Sequence, residues 1–217
     1  MTMTTDHLTT LHRKPDRGRT DRAELDAVLD AMLVGTLATV VDGEPWAVPM
    51  LYARHGDHIL LHGSTGAGAL RHVGAGAPAA FTVARIDGVV LADHLFDHSA
   101  NYRSAVVRGN LEVVGEDEEW DALIALSERL VPGRPAEVVD MTRKDRAATL
   151  TLRLPIRDGR WIVKVRDAGA GPAGRDPSAW RGVVPLAEVW GDPVPETDLA
   201  PGVEAPASVQ GLRGARS

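Results

Sequence analysis

Residues 37–62 read LATVVDGEPWAVPMLYARHGDHILLH, and this stretch decides the fold class. Apolar runs LATVV (37–41) and WAVPMLY (46–52) flank Asp42-Gly43-Glu44-Pro45. An Asp-Gly pair between two such runs is a strong hairpin signal, because both central residues of the tight turn need positive φ. Pro49 has no N–H to give to a ladder, so the second run belongs on an edge or at a bulge. After the turn His55-Gly56-Asp57, HILLH (58–62) reads as a third strand.

Strand signals continue on both sides of it. PAAFTVARI (78–86) and VVLADHL (89–95) flank Asp87-Gly88, which predicts a second hairpin. SAVVRGNLEVV (104–114) reads as the longest strand, with Val107, Gly109, Leu111 and Val113 on one face. Two more strands are expected near 149–154 and 160–166. Upstream, Asp21 and Glu24 stand at capping-box spacing. Leu25, Val28, Leu29, Met32 and Leu33 follow with helical period, and Gly35 is a candidate stop. Residues 115–131 predict a helix with acids in its first turn and Trp120, Leu123, Ile124, Leu130 and Val131 as its buried stripe. A short polar helix is expected around 136–147. The organisation expected is a flexible lead (1–19), one folded domain (20–190) and an extended or disordered tail (191–217).

This succession of short strands with few helices predicts a mainly β protein with flanking helices, built on a closed or partly closed barrel. No βαβ alternation, GxGxxG or GxxxxGK[ST] is present, which argues against a Rossmann or P-loop domain. The chain of 217 residues has 24 Lys and Arg against 30 Asp and Glu, a net charge of −6 that disfavours nonspecific nucleic-acid binding. With no cysteine, disulfides, thiolate metal sites and cysteine nucleophiles are excluded. No run approaches about 18 apolar residues, so no membrane span is expected. The N-terminal stretch lacks an apolar signal region, and the expected location is the cytoplasm. With only 5 Trp, 2 Tyr and 2 Phe, the core must rest on Ala, Val and Leu.

Two stretches carry chemistry. His62-Gly63-Ser64-Thr65-Gly66 follows a strand and leads toward Arg71. Small residues and hydroxyls at such a place suit an anion, although a plain strand-to-helix turn has the same composition. Phe96 to Ser104 is dense in polar groups. There Tyr102 suits stacking on a flat ring, Arg103 a phosphate or carboxylate, and Ser104 a heterocycle edge, while a capped turn with a core tyrosine is the bland alternative. The eight histidines have no HExxH pattern, and no metal site is expected. Asp87 reads as a turn former rather than a catalytic acid. Trp46 and Trp180 are the tryptophans to watch for a ligand.

HGSTG and HSxNYRS, with VDG and IDG segments around them, resemble the FMN-binding split-barrel family related to pyridoxamine 5′-phosphate oxidase. The resemblance spans about residues 18–190 and is nearest the flavin-nucleotide-binding, nitroimidazole-resistance-like branch. It implies a six-stranded antiparallel split β-barrel and a homodimer with FMN at its interface. It places Pro49, Met50 and Leu51 beside the flavin and His62, Gly63, Ser64 and Thr65 by the ribityl phosphate. Tyr102, Arg103 and Ser104 fall where the family meets the cofactor from its long strand. Where relatives often carry a base after the GST element, this chain has Ala67, Gly68 and Ala69, leaving Arg71 or Arg103 to meet the phosphate. The substrate-phosphate residues of the oxidases have no match, so that reaction is not implied. The expected function is a flavin-dependent oxidoreductase acting on a small nitro- or quinone-like molecule. A non-catalytic flavin or haem binder is the alternative.

Overall fold

The computed structural model describes residues 10–172, 174, 176 and 178–214. Helix α1 (Arg22–Asp30) starts where Asp21 accepts a 2.9 Å bond from the Ala23 amide, and buries Leu25, Val28 and Leu29. Strands β2 (Val34–Val41) and β3 (Glu44–Leu51) pair along all eight residues. Asp42 and Gly43 turn between them with φ of 52° and 85°, the geometry the dipeptide predicts.

Strand β1 (Gly18–Arg19) precedes α1, within the stretch expected as a flexible lead, whose residues 1–9 lie outside the described ones. Strands β4 (Ala53–His55) and β5 (His58–Ser64) form the next hairpin, and α2 (Gly68–Gly74) follows. The long strands β6 (Pro78–Leu91) and β7 (Ser99–Asn110) come next, then β8 (Glu112–Val113) and α3 (Glu116–Leu130). Beyond them lie α4 (Arg143–Ala147), β9 (Thr149–Pro155), β10 (Trp161–Arg166), β11 (Gly182–Pro185) and α5 (Ala207–Leu212).

All pairing is antiparallel. One sheet runs β1-β10-β7-β6-β2-β3, with β11 as a seventh strand on β6, and the other runs β4-β5-β9-β8. The expected six-stranded barrel is therefore corrected to two open sheets of seven and four strands. Closure fails at β3, which stays an edge carrying Pro45 and Pro49, residues that cannot donate to a further strand. The inner faces trap Leu37, Ile59, Leu61, Phe81, Val107, Leu152 and Leu154 as one core. Leu60 and Ala53 turn outward under α3 and join Ala122, Leu123 and Leu126 in a smaller cluster.

Several local expectations change. Asp87-Gly88 makes no hairpin, since β6 runs through it with a bulge between Ile86 and Gly88. Gly88 lacks positive φ. A Cβ there would stand 2.9 Å from the Val184 carbonyl, so close approach of β11 is what requires glycine. β6, not β7, is the longest strand. Gly35 lies inside β2 rather than stopping α1, and Val113 is exposed. On α3 the buried side chains are Ala122, Leu123 and Leu126. Leu130 is partly exposed, and Trp120 lies under the Arg146 guanidinium at 5.8 Å. The polar helix shrinks to a 3-10 turn (Arg134–Glu137) and α4, whose start is set by a Thr142–Asp145 capping box. In the tail, α5 docks where buried Ser208 bonds Glu137, and the Gly214 amide donates to Trp190 at 3.1 Å.

Candidate functional site

The open corner between β3 and β5 holds a cleft of about 390 Å³ lined by Trp46, Val48, Pro49, Met50, Leu51, His62, Ala67 and Leu70. Five residues singled out in the sequence, Trp46, Pro49, Met50, Leu51 and His62, thus meet on one surface although they come from different sheets. Gly63 is the reason Leu70 can reach it, because a Cβ at 63 would lie 2.3 Å from Leu70 Cδ1. Of the two tryptophans to watch, Trp46 lines this cleft and Trp180 is exposed. Leu70 carries no chemical signal in sequence and joins the site only through the packing of α2 beside Gly63.

The Gly-Ser-Thr turn is internally bonded. The Gly66 amide donates to Ser64 Oγ at 3.1 Å, the Ala67 amide to the Ser64 carbonyl at 2.9 Å, and the Thr65 amide to the Ala148 carbonyl at 3.1 Å. Arg71 is exposed on α2 and lies outside the cleft lining.

Tyr102, Arg103 and Ser104 lie on β7, outside the lining of this cleft. The Arg103 guanidinium grips Asp87 with two bonds of 2.9 and 2.7 Å, which raise its pKa. Asp87 also stands 3.7 Å from Arg85, so the expected turn former is an ion-pair anchor. Ser104 donates to the Lys164 carbonyl at 3.4 Å. Burial pushes the Tyr102 phenol up, but hydrogen bonds with Arg17 and Lys164 outweigh it, and the net shift is downward.

A larger cleft, about 540 Å³, was not legible in sequence. It lies where β2, β6 and the chain after β11 meet, and Val34, Ile86, Leu186 and Val189 line it above Arg85 and Glu188. A smaller one, about 190 Å³, opens beneath α3 and shares Leu51 and His62 with the corner cleft.

Desolvation lowers the His62 imidazole from its ordinary 6.5. The unfolded chain then binds this proton more readily than the folded one. The neutral imidazole's contribution is complete above about 6.5, and it is lost as pH falls from there through the lower folded-state pKa. Without ligand, the wild-type denaturation midpoint is expected to drop more between about pH 7 and about pH 5 than that of His62→Gln. Parallel midpoint curves would count against this assignment.

Two open antiparallel sheets with an apolar cleft at their corner define a split-barrel protein of the pyridoxamine 5′-phosphate oxidase type. The family described as pyridoxamine 5'-phosphate oxidase matches residues 21–160, and the chain belongs to it. Among solved structures, it is similar to the FAD and Heme binding protein from Mycobacterium smegmatis. That match has 42% identity and a TM-score of 0.88, over 91% of this chain and 98% of that one. It is also similar to the flavocytochrome Anf3 from Azotobacter vinelandii, at 25% identity and a TM-score of 0.86, over 97% and 99% of the two chains. A 5-nitroimidazole antibiotic resistance protein described as putative, from Bacteroides thetaiotaomicron, shares the fold at 16% identity and a TM-score of 0.58, over 68% and 86%. Among curated proteins none matches. Among the described residues no helix is long and apolar enough to cross a membrane.

Proposed function

We propose that this chain is a flavin-dependent oxidoreductase that works as a homodimer in the cytoplasm. The carrying observation is the corner cleft, where an apolar floor, flat side chains at Trp46 and Pro49 and a polar end at His62 converge. Its volume lies within the ~300–1,000 Å³ usual for cofactor sites. The bound flavin supplies hydride and electron transfer. The chain's own part is to hold the ring against Pro49, Met50 and Leu51 and keep water from it. FMN is the nucleotide the family resemblance implies, while the M. smegmatis relative, an FAD and Heme binding protein, favours FAD. A nitro- or quinone-like small molecule is the acceptor class.

Two features support the dimer. Val34, Ile86, Leu186 and Val189 are 49–65% exposed around one cleft, an apolar surface that a second copy would cover. The Tyr102-Arg103-Ser104 corner lies away from its own chain's cleft, so it serves a flavin only across such an interface. Haem is a second cofactor in this reading, supported by the same relative, an FAD and Heme binding protein.

The test is to add FAD or FMN to purified protein, remove the excess, and measure the absorption spectrum and the solution mass. Retained flavin bands on a two-chain species are expected. A colourless protein after both additions, or a flavin-loaded monomer, would reject the corresponding part of the proposal.

A further inference from the structure

We propose that a cleft between β2, β6 and β7 holds the adenylate half of FAD, with Arg108 and Arg160 on its phosphates, so that this chain selects the dinucleotide over FMN. The inference rests on the flavin reading above and names which flavin nucleotide the site takes. The cleft encloses about 410 Å³. Ala38, Pro78, Ala79, Ala80 and Gly109 give it a floor of small side chains.

Two guanidinium groups define its chemistry. Arg108 stands on β7, on the face opposite the core residue Val107. Arg160 ends the turn 157–160, where Gly159 has φ of 70° and the Arg160 amide donates to the Arg157 carbonyl at 3.1 Å. The Arg108 amide donates to the Arg160 carbonyl at 2.8 Å, which sets the two residues side by side. The neighbouring polar groups are already engaged. Thr39 Oγ1 donates to the Pro78 carbonyl at 2.7 Å, and Asn110 Nδ2 donates to the Gly76 carbonyl at 2.6 Å. Among the described residues no carboxylate lines the cleft, and no ion pair holds the Arg160 guanidinium. By contrast Arg22, Arg54, Arg103 and Arg153 are all paired with acids. The cleft is thus a place of excess positive charge in a chain of net charge −6. Burial lowers the Arg108 pKa, because its guanidinium has lost part of its water, and phosphate oxygens would replace that water.

The position of this arginine cleft relative to the corner cleft fits a dinucleotide. Ala67 and Leu70, at the start of α2, line the corner cleft. Further along α2, His72 contacts the Val40 carbonyl at 2.9 Å, and Val40 lines the arginine cleft. Asn110, also in that lining, reaches Gly76 just beyond the helix. Helix α2 therefore leads from one cleft to the other, and its seven residues span about 10 Å. Across the β2–β3 ladder, Thr39 of the arginine cleft pairs with Trp46 of the corner cleft. A flavin ring on Pro49, Met50 and Leu51, with its ribityl phosphate by residues 62–65, sends the rest of a dinucleotide along α2. FMN ends at that first phosphate and reaches only the corner cleft. The two clefts, about 390 and 410 Å³, are matched in size, as are the two mononucleotide halves of FAD.

The experiment titrates flavin-free, full-length protein with FAD and, separately, with FMN. Wild type, Arg160→Ala, the double variant Arg108→Ala/Arg160→Ala and Arg157→Ala are compared, with circular dichroism on each. Arg157 pairs with Glu112 at 3.5 Å and lies outside the cleft lining, so it controls for loss of charge. Wild type is expected to bind FAD more than ~10-fold more tightly than FMN. The double variant is expected to lose more than ~10-fold for FAD, the worth of one charged hydrogen bond, while its FMN affinity stays unchanged. Arg157→Ala should match wild type. Arg160→Ala removes an exposed side chain from a turn, and it carries the test if the double variant does not fold. Equal affinity of wild type for both nucleotides, or a wild-type FAD-to-FMN ratio in the arginine-cleft variants, would overturn this inference and leave the flavin reading standing. An equal loss in Arg157→Ala would overturn it as well, by tracing the effect to general charge. Wild type that binds neither nucleotide would overturn the flavin reading and this inference together.

Discussion

Phe81→Ala is expected to lower the unfolding free energy by about 3–5 kcal/mol. Phe81 is 1% exposed in the middle of β6, between β2 and β7. Its ring meets Tyr52 edge-on at 4.9 Å and 66°, so truncation removes both apolar burial and an aromatic pair. The opposite wall is Gly35, where a Cβ would stand 2.2 Å from Phe81 Cζ and 3.0 Å from Val83 Cγ1. Gly35→Ala should therefore destabilise through overpacking, by about 1–3 kcal/mol. The pair should be coupled, because the smaller side chain at 81 makes room for the methyl at 35. Chemical denaturation of both single variants and the double variant measures this, and strict additivity would show that the two side chains do not share the space.

The second large effect is on the cofactor. Ala67→Trp is expected to abolish flavin retention while leaving the denaturation midpoint nearly unchanged. Ala67 lines the corner cleft, and it stands at the N-cap of α2 without a side-chain capping bond. An indole there fills space the flavin ring needs and removes no cap. The neighbouring position gives the converse test. A Cβ at Gly68 meets nothing within 4 Å and its φ is not positive, so a side chain fits without strain. Gly68→Lys restores a base after the GST element. A charged hydrogen bond to the flavin phosphate should add about 1.5–3 kcal/mol of affinity. Equilibrium titration with FMN and FAD reads both variants. Full retention by Ala67→Trp would remove the corner cleft as the flavin site.

Legibility differed between two copies of one signal. Asp42-Gly43 and Asp87-Gly88 are the same dipeptide between apolar runs. At the first, positive φ at both residues makes the turn. At the second, Asp87 is drawn to Arg103 on the neighbouring strand, and β11 closes over Gly88 from far along the chain. Nothing within a few residues distinguishes the two. Gly35 is a similar case, since a glycine after a helix reads as a stop until Phe81 is seen against it.

The candidate site divides the same way. Pro49, Met50, Leu51 and His62 were marked by the family resemblance, which carries no information on how their strands meet. That β3 and β5 meet at a corner, that Leu70 packs over Gly63, and that a second cleft lies behind His62 all depend on sheet placement. The β class, the first hairpin and the capped helix α1 follow from neighbouring residues alone, because hydrogen-bond caps, positive φ and period-two burial act over short stretches of chain. That the sheets stay open, which glycines serve packing rather than turns, and which side chains share a cleft are set by the assembled fold. Those outcomes rest on contacts between segments far apart in the chain, and local chemistry leaves such contacts undetermined.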